Sequence, residues 1–233
     1  MNISKTLITG SLLFSALAFA GDHDNGNHYG KSKHGSKTYA VTITNITSGQ
    51  FFTPVLVATH NAEVSFFELG DAPSSELADL AEGGATVGLQ MLLDGLPEFV
   101  LDTNTSGMTP DGDPLINPGE SVTIFISGSR AYDRLSLAGM LLPTNDTFVA
   151  VDSMPLPRRH AASLALAYDA GSEMNDELCV NIPGPQCGGM PFSDGLAEGY
   201  VHISRGISGE GDLAASDYDW RNPVAKVTVR LMD

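Results

Sequence analysis

The chain has 233 residues, 42% of them hydrophobic, and its 12 Lys and Arg against 28 Asp and Glu give a formal net charge of −16. A chain this acidic, without a basic stripe, would be repelled by a polyanion, which argues against nucleic acid as a partner. The length suits one β domain of the larger kind with a real hydrophobic core. An acidic surplus alone does not indicate a cation site, because a solvated surface has the same composition.

The first residues predict an export signal. An apolar run from about Leu7 to Phe19 follows the single charge of Lys5, and small residues precede a cleavage position after Ala20. The run is shorter than the roughly 20 residues of a spanning helix, which disfavours the alternative of a transmembrane anchor. We therefore expect residues 1–20 to be a cleavable signal peptide, and the mature protein to be secreted or periplasmic with no transmembrane segment.

Residues 21–37 predict a flexible leader, since they are rich in Gly, Asn, His and Lys and have no apolar periodicity. Its histidines His23, His28 and His34 could bind transition metals, or the segment could be a solvated linker. Residues 38–233 are then expected to form one domain.

From Tyr39 onward the sequence predicts strands separated by turns. The clearest strand has Val122, Ile124 and Ile126 on one face and Phe125 on the other. Pro54 interrupts another strand, which favours an edge or a bulge there. The pattern indicates an all-β protein of eight to ten strands, and we expect an antiparallel β-sandwich. The predicted strands span residues 38–47, 51–60, 62–70, 96–106, 120–128, 134–146, 147–157, 162–169, 199–207 and 222–232.

One short helix is predicted between the strands. Ser74 or Ser75 can cap its start, Leu77 and Leu80 share one face, and Gly83-Gly84 ends it. Because its surroundings are rich in predicted strands, we expect an insertion between two strands and not a helical layer.

The two cysteines predict a local disulfide. Cys179 and Cys187 are eight residues apart and enclose a loop with two prolines and a glycine. In an exported protein this spacing favours one bridge that shapes the loop over a metal site made of two isolated thiols.

Four acidic loops are candidates for binding a cation. Ca²⁺ takes six to eight oxygen ligands, more than one loop usually supplies, but two neighbouring loops can supply them. Asp169 and Glu173 stand four apart across Ala-Gly-Ser, a spacing that lets the backbone curl so that both side chains point inward. An ordinary acidic turn is the commoner structure for such a segment. The four loops contain Asp111 and Asp113; Asp146 and Asp152; Asp169 and Glu173; and Asp212, Asp217 and Asp219.

Catalytic motifs are missing from the sequence: it has no G-x-S-x-G, H-E-x-x-H or P-loop. His60 and His160 are far apart, and a buried structural histidine is the favoured interpretation of His60. Many Asp residues could form an acid–base pair for glycoside hydrolysis, but nothing in the sequence selects one. We therefore expect no enzyme activity, with a secreted hydrolase acting on glycans or esters as the alternative.

Four segments together resemble the spondin N-terminal domain family, found in F-spondin, in mindin and in many bacterial exported proteins. They occur in the family's order, and the resemblance extends from Tyr39 to Asp233. The segments are FFTPVLVATHN, SSELADLAEGG, RLSLAGMLLPTNDTFVAVDSMPL and YDAGSE.

The resemblance implies a C2-like β-sandwich with a Ca²⁺ ion held by loops at one end. By position, Asp146, Asp169 and Glu173 match the family's carboxylate ligands, a backbone carbonyl near Ala165 completes the shell, and Asp152 is a reserve ligand. Glu173 stands where the family has Asp, and the local disulfide does not reproduce that of the animal proteins.

The same resemblance implies an adhesion function, in which the module binds a surface glycan or a protein partner. A C2-like lipid binder is a further alternative, although the net charge of −16 disfavours an anionic membrane.

Overall fold

A computed structural model describes residues 6–7, 35–109, 111–193 and 195–232. Apart from Thr6–Leu7, the predicted signal peptide lies outside the described residues, as does the leader up to residue 34. The strands are β1 Thr6–Leu7, β2 Lys37–Asn45, β3 Phe51–Phe52, β4 Leu56–His60, β5 Val64–Ser65, β6 Val100–Thr105, β7 Ser121–Gly128, β8 Arg134–Leu142, β9 Thr147–Pro155, β10 His160–Asp169, β11 His202–Ile203 and β12 Ala225–Leu231. The helices are α1 Ser75–Gly83, α2 Thr86–Asp94 and α3 Ala215–Tyr218, with a 3-10 turn at Cys179–Asn181.

Eight of these strands form one antiparallel sheet that curls into a nearly closed barrel. Its order is β6-β4-β8-β9-β10-β12-β2-β7. Side chains link the two end strands: Asn104 Nδ2 donates to Phe125 O (3.0 Å), and Ser127 N donates to Asp102 Oδ2 (2.8 Å). The prediction of mostly antiparallel β structure is confirmed. A sandwich was expected, whereas the structure has one sheet that nearly closes on itself. Strand periodicity reports which residues face the interior and not which strands meet at the ends of a sheet.

The barrel interior is filled by alternate residues of the strands. In β7, Val122, Ile124 and Ile126 are buried while Phe125 is 55% exposed, as the alternation predicts. This interior core also contains Val55, which precedes β4, and Val57 within β4, together with Leu135, Leu137, Val227 and Val229.

A second core lies outside the barrel, under the helices. Helix α1 begins after Ser74, whose Oγ accepts from Leu77 N (3.2 Å), and ends at Gly84, which has a φ of 70°. The predicted helix is therefore confirmed. Helix α2 follows it and was not predicted, since Ala85 at its N-cap makes no side-chain cap hydrogen bond. The helices cover Leu56, Ala58 and Ala138, so that β4 is buried on both faces.

Two predicted local features, a disulfide and a strand interruption, are present in the structure. The Cys179–Cys187 disulfide is present, with an S–S distance of 2.03 Å, which confirms that prediction. Pro54 separates β3 from β4, in agreement with the predicted interruption. The longest described helices have nine residues, and none in the described part of the chain could cross a bilayer.

The strand ends define two poles of the barrel. At one, here called the acidic pole, Thr147 at the start of β9 pairs with Asp169 at the end of β10. At the other, here called the groove pole, Lys37 at the start of β2 pairs with Gly128 at the end of β7. Of the candidate ligands from the sequence, Asp146, Asp169 and Glu173 lie at the acidic pole.

Candidate cation site

The β9–β10 pairing brings together two carboxylates that are distant in the sequence. Asp146 precedes β9 directly and Asp169 ends β10, next to each other across the ladder. Ala170 N donates to the backbone oxygen of Asp146 (3.1 Å), which fixes the loop after β10 against the β8–β9 turn. Both side chains are fully buried, each with 0% exposure.

The turn after Asp169 wraps around the carboxylate of Asp146. Ser172 N and Glu173 N donate to Asp146 Oδ2 at 2.8 and 3.0 Å. Gly171, with a φ of 65°, lets the chain curl, and its N–H donates to Asp169 Oδ1 (2.9 Å). A Cβ at Gly171 would lie 2.3 Å from Tyr200 O, so glycine also permits the close approach of the segment around residue 200.

In the described part of the chain, no cationic side chain forms an ion pair with Asp146. Its Oδ1 is buried and has no hydrogen-bond partner among the described residues. Burial raises the pKa of Asp146 to about 7, helped by the negative charge of Asp169 and opposed by the two backbone hydrogen bonds. Burial also raises the pKa of Asp169, although His202 and Asn175 offset part of that effect. A positive charge placed beside Asp146 and Asp169 would therefore stabilise their ionised forms.

Glu173, the third predicted carboxylate, reaches this cluster through its backbone and not through its Oε1. Its Oε1 accepts from Ser193 N, while Oε2 is buried without a hydrogen-bond partner in the described structure. Burial raises the pKa of Glu173, an effect opposed by Ser193 and reinforced by Asp176. A further carboxylate from α1, Glu82, lies beside Glu173, and its pKa is also raised, mainly by burial.

The structure places the two remaining predicted ligands elsewhere. The carbonyl oxygen of Ala165 accepts from Val224 N (3.0 Å) within the β10–β12 region, away from the end of β10. Both oxygens of Asp152 are engaged: Oδ1 accepts from Phe66 N (3.0 Å) and Oδ2 from Ser65 Oγ (2.7 Å). Neither residue joins Asp146 and Asp169.

Two residues that sequence reasoning missed lie next to Asp169. One ligand atom from each of Asp169, Glu198 and His202 lies within 4.8 Å of the others, the only such group of three in the described residues. Asp146 and Glu173 are not members of that group. A carboxylate and a histidine four residues apart at a predicted strand were the available signal.

The other acidic loops are ordinary turns or surface pairs. Asp113 Oδ1 accepts from Leu115 N (2.9 Å) within its own loop. Asp212 Oδ2 accepts from Cys179 N (2.9 Å), and Asp219 pairs with the exposed Arg221. None of these side chains reaches the Asp146–Asp169 pair.

His60, Ser136 and Asp152 form a hydrogen-bonded row, but not one suited to hydrolysis. Ser136 lies between the other two, with its Oγ 2.7 Å from His60 Nε2 and 2.9 Å from Asp152 Oδ1. In a nucleophilic triad the histidine occupies the middle, and the nucleophile must reach substrate. Here Ser136 and His60 are fully buried, so the row is structural.

No protein-family model matches the chain, and no curated protein matches it either. The resemblance to the spondin N-terminal domain therefore rests on the four quoted segments alone.

Proposed function

We propose that this chain is an exported calcium-binding module of the spondin type, which uses one pole of its barrel for the ion and mediates adhesion to a surface glycan. The C2-like sandwich of that family would correspond to the nearly closed barrel. The proposal is supported above all by the unpartnered Oδ1 of the fully buried Asp146 beside Asp169.

The donor set suits Ca²⁺. Asp146, Asp169 and Glu173 offer only oxygen atoms, and hard Ca²⁺ prefers carboxylate and carbonyl oxygens. A bound Ca²⁺ supplies positive charge that cancels the repulsion between buried carboxylates. The chain's own contribution is to orient them: Asp146 is held by Ser172 N and Glu173 N, and Asp169 by Gly171 N and Asn175 Nδ2 (2.8 Å). With the ion bound, the β8–β9 turn and the loop after β10 are tied together.

The groove pole supports an anionic glycan as the partner. A groove of about 1230 Å³ lies there, lined by apolar Tyr39 and Leu156 and by the exposed cations Lys37, Arg130 and Arg158. None of these three cations forms an ion pair with a described residue. On a chain with a net charge of −16, such a cluster attracts carboxylate or sulfate groups to this pole. Asp133, which also lines the groove, pairs with Arg134.

Thermal unfolding with and without calcium tests the ion site. Calcium at 100 times its Kd should stabilise the protein by about 2.7 kcal/mol, which for a domain of this size raises Tm by roughly 5–10 °C over the value in EDTA. Asp169→Ala should abolish the shift, because it removes a carboxylate from the buried pair. Asp111→Ala, an exposed change in another acidic loop, should keep the full shift.

A folded Asp169→Ala protein that gains the same Tm from calcium would refute the assignment. If that variant does not fold, Asp169→Asn gives the same test, since it removes the charge but keeps the side-chain shape and one accepting oxygen.

A further inference from the structure

A nitrogen ligand distinguishes a second group of side chains at the acidic pole. His202 in β11 pairs with Asp169 in antiparallel register, and Glu198 lies four residues before it. The segment is held in place, since Gly199 N donates to Gly171 O (2.8 Å). The three side chains meet at the surface, where Glu198 is exposed and His202 half-buried.

One ring nitrogen of His202 is set up as a lone-pair donor. Nδ1 lies 3.0 Å from the backbone oxygen of Ile203, which can only accept, so Nδ1 carries the hydrogen. In the neutral ring Nε2 then bears the free lone pair, the arrangement that second-shell carbonyls impose on metal-bound histidines. Nε2 is buried and has no hydrogen-bond partner among the described residues.

The distance between the two facing acceptors fits a shared ion. Nε2 of His202 lies 3.3 Å from Asp169 Oδ1. Two lone-pair acceptors at this distance require a proton or a cation between them. In a tetrahedral Zn²⁺ site with bonds of about 2.0–2.1 Å, two ligand atoms are about 3.4 Å apart, close to the distance found.

The surroundings orient the carboxylates toward the same point. Asn175 Nδ2 donates to Asp169 Oδ2 (2.8 Å) and to Glu198 Oε1 (3.2 Å), which holds the two side chains together. Asp146 beside them is fully buried with an unpartnered Oδ1, and its carboxyl experiences the negative charges of both Asp169 and Glu198. Asp146 is not one of the three clustered residues, and its unpartnered buried oxygen beside them also indicates a cation.

We propose that Asp169, Glu198 and His202 form a site for a borderline divalent cation, Zn²⁺ in the first place, with water at the open position. Two carboxylates and a neutral imidazole carry a charge of −2, which a divalent cation cancels. Imidazole suits Zn²⁺ and not Ca²⁺, so the nitrogen distinguishes this donor set from the oxygen-only calcium set, with which it shares Asp169. The inference goes beyond the proposed function and does not depend on calcium binding.

Titration calorimetry with Zn²⁺, repeated with excess Ca²⁺, tests the site. The full exported chain is used with His23, His28 and His34 replaced by Gln, so that the leader does not contribute. We expect one Zn²⁺ per chain in the background protein. His202→Gln should weaken its affinity more than about tenfold, the least that loss of even a second-shell partner costs. A Co²⁺ spectrum, with absorption from nitrogen and oxygen ligands, gives a second readout.

Two further variants make the test decisive. Glu198→Gln changes an exposed side chain, should preserve the fold and should also weaken Zn²⁺ binding. His160→Gln removes an exposed histidine near the groove pole, where the backbone of His160 lies opposite Arg230 in the β10–β12 ladder, and should leave Zn²⁺ affinity unchanged. Unchanged Zn²⁺ binding in His202→Gln and Glu198→Gln, or no binding in the background protein, would overturn the inference.

The two proposals fail separately. If calcium produces no Tm shift but Zn²⁺ binds through His202, the calcium-binding function is wrong and the zinc site stands. If His202→Gln keeps the calcium shift and Zn²⁺ binds nowhere, the reverse holds.

Discussion

The buried carboxyl of Asp146 predicts that its neutral isostere stabilises the metal-free protein. Asp146→Asn keeps the side-chain shape and an oxygen that can accept from Ser172 N and Glu173 N. It removes a negative charge that lies fully buried beside Asp169. Without a cation, the native state of the variant therefore avoids a penalty that the unmodified protein bears above neutral pH.

The magnitude follows from the displacement of the pKa of Asp146 from its ordinary 3.8 to about 7. Since the folded protein binds this proton more tightly than the unfolded chain, the free energy of unfolding falls as the pH rises from about 4 to about 7. At 1.36 kcal/mol for each pKa unit, the loss is at most about 4 kcal/mol. For a domain of this length, that corresponds to a Tm difference of roughly 10 °C.

The assay is thermal unfolding of both proteins across pH 4–8, first in EDTA and then in calcium. In EDTA, the Tm values should coincide near pH 4 and diverge toward pH 8, where Asp146→Asn is the more stable. Other titrating carboxyls contribute to both curves, so their effects largely cancel in the difference. In calcium at 100 times its Kd, the advantage of Asp146→Asn at pH 8 should shrink by about 2.7 kcal/mol, because only the unmodified protein gains stability from the ion.

The reasoning is wrong if Asp146→Asn melts below the unmodified protein in EDTA at pH 8. It is equally wrong if the Tm difference does not vary with pH. Either result would mean that the charge of Asp146 is already compensated in the metal-free protein.

Two further predictions concern other parts of the molecule. Replacing Arg130 and Arg158 with Ser should lower the salt concentration at which the protein elutes from an immobilised anionic polysaccharide. The control Arg205→Ser should leave that salt concentration unchanged. Equal effects of the two changes would remove the groove from the proposal. Glu177→Gln should cost about 1–3 kcal/mol at pH 7 in chemical denaturation. Burial raises the pKa of Glu177, but hydrogen bonds from Ser208 and Gly209 lower it overall. The stability that the charged carboxylate contributes is therefore lost as the pH falls below the ordinary 4.5. A cost of Glu177→Gln that persists in acid would contradict the assignment.

Helices and strands could be predicted from the sequence where a few neighbouring residues determine them. Ser74 and Gly84 bracket α1 because a helix start needs an acceptor for a free N–H and its end tolerates a left-handed residue. Alternation in β7 is read directly, since successive side chains point to opposite faces. Helix α2 has no side-chain cap at Ala85, and its stability comes from packing on the outside of the barrel, so the sequence carries no local signal for it.

The candidate site was readable only in part. The turn from Asp169 to Glu173 stood out because two carboxylates and a glycine lie within five residues. Glu82 gave no such signal, since it reaches the site from a helix that precedes Asp169 by more than eighty residues. Its place depends on how α1 packs against the barrel, which no local pattern encodes.

By itself, the sequence determined the alternation of strands, the helix after Ser74, the Cys179–Cys187 bridge and the acidic turn, because each depends on neighbours within about ten residues. Tertiary structure decided the closure of the barrel and the arrival of His202 beside Asp169. Those features depend on which strand ends meet, and hence on the packing of the whole sheet, which residues near in sequence do not specify.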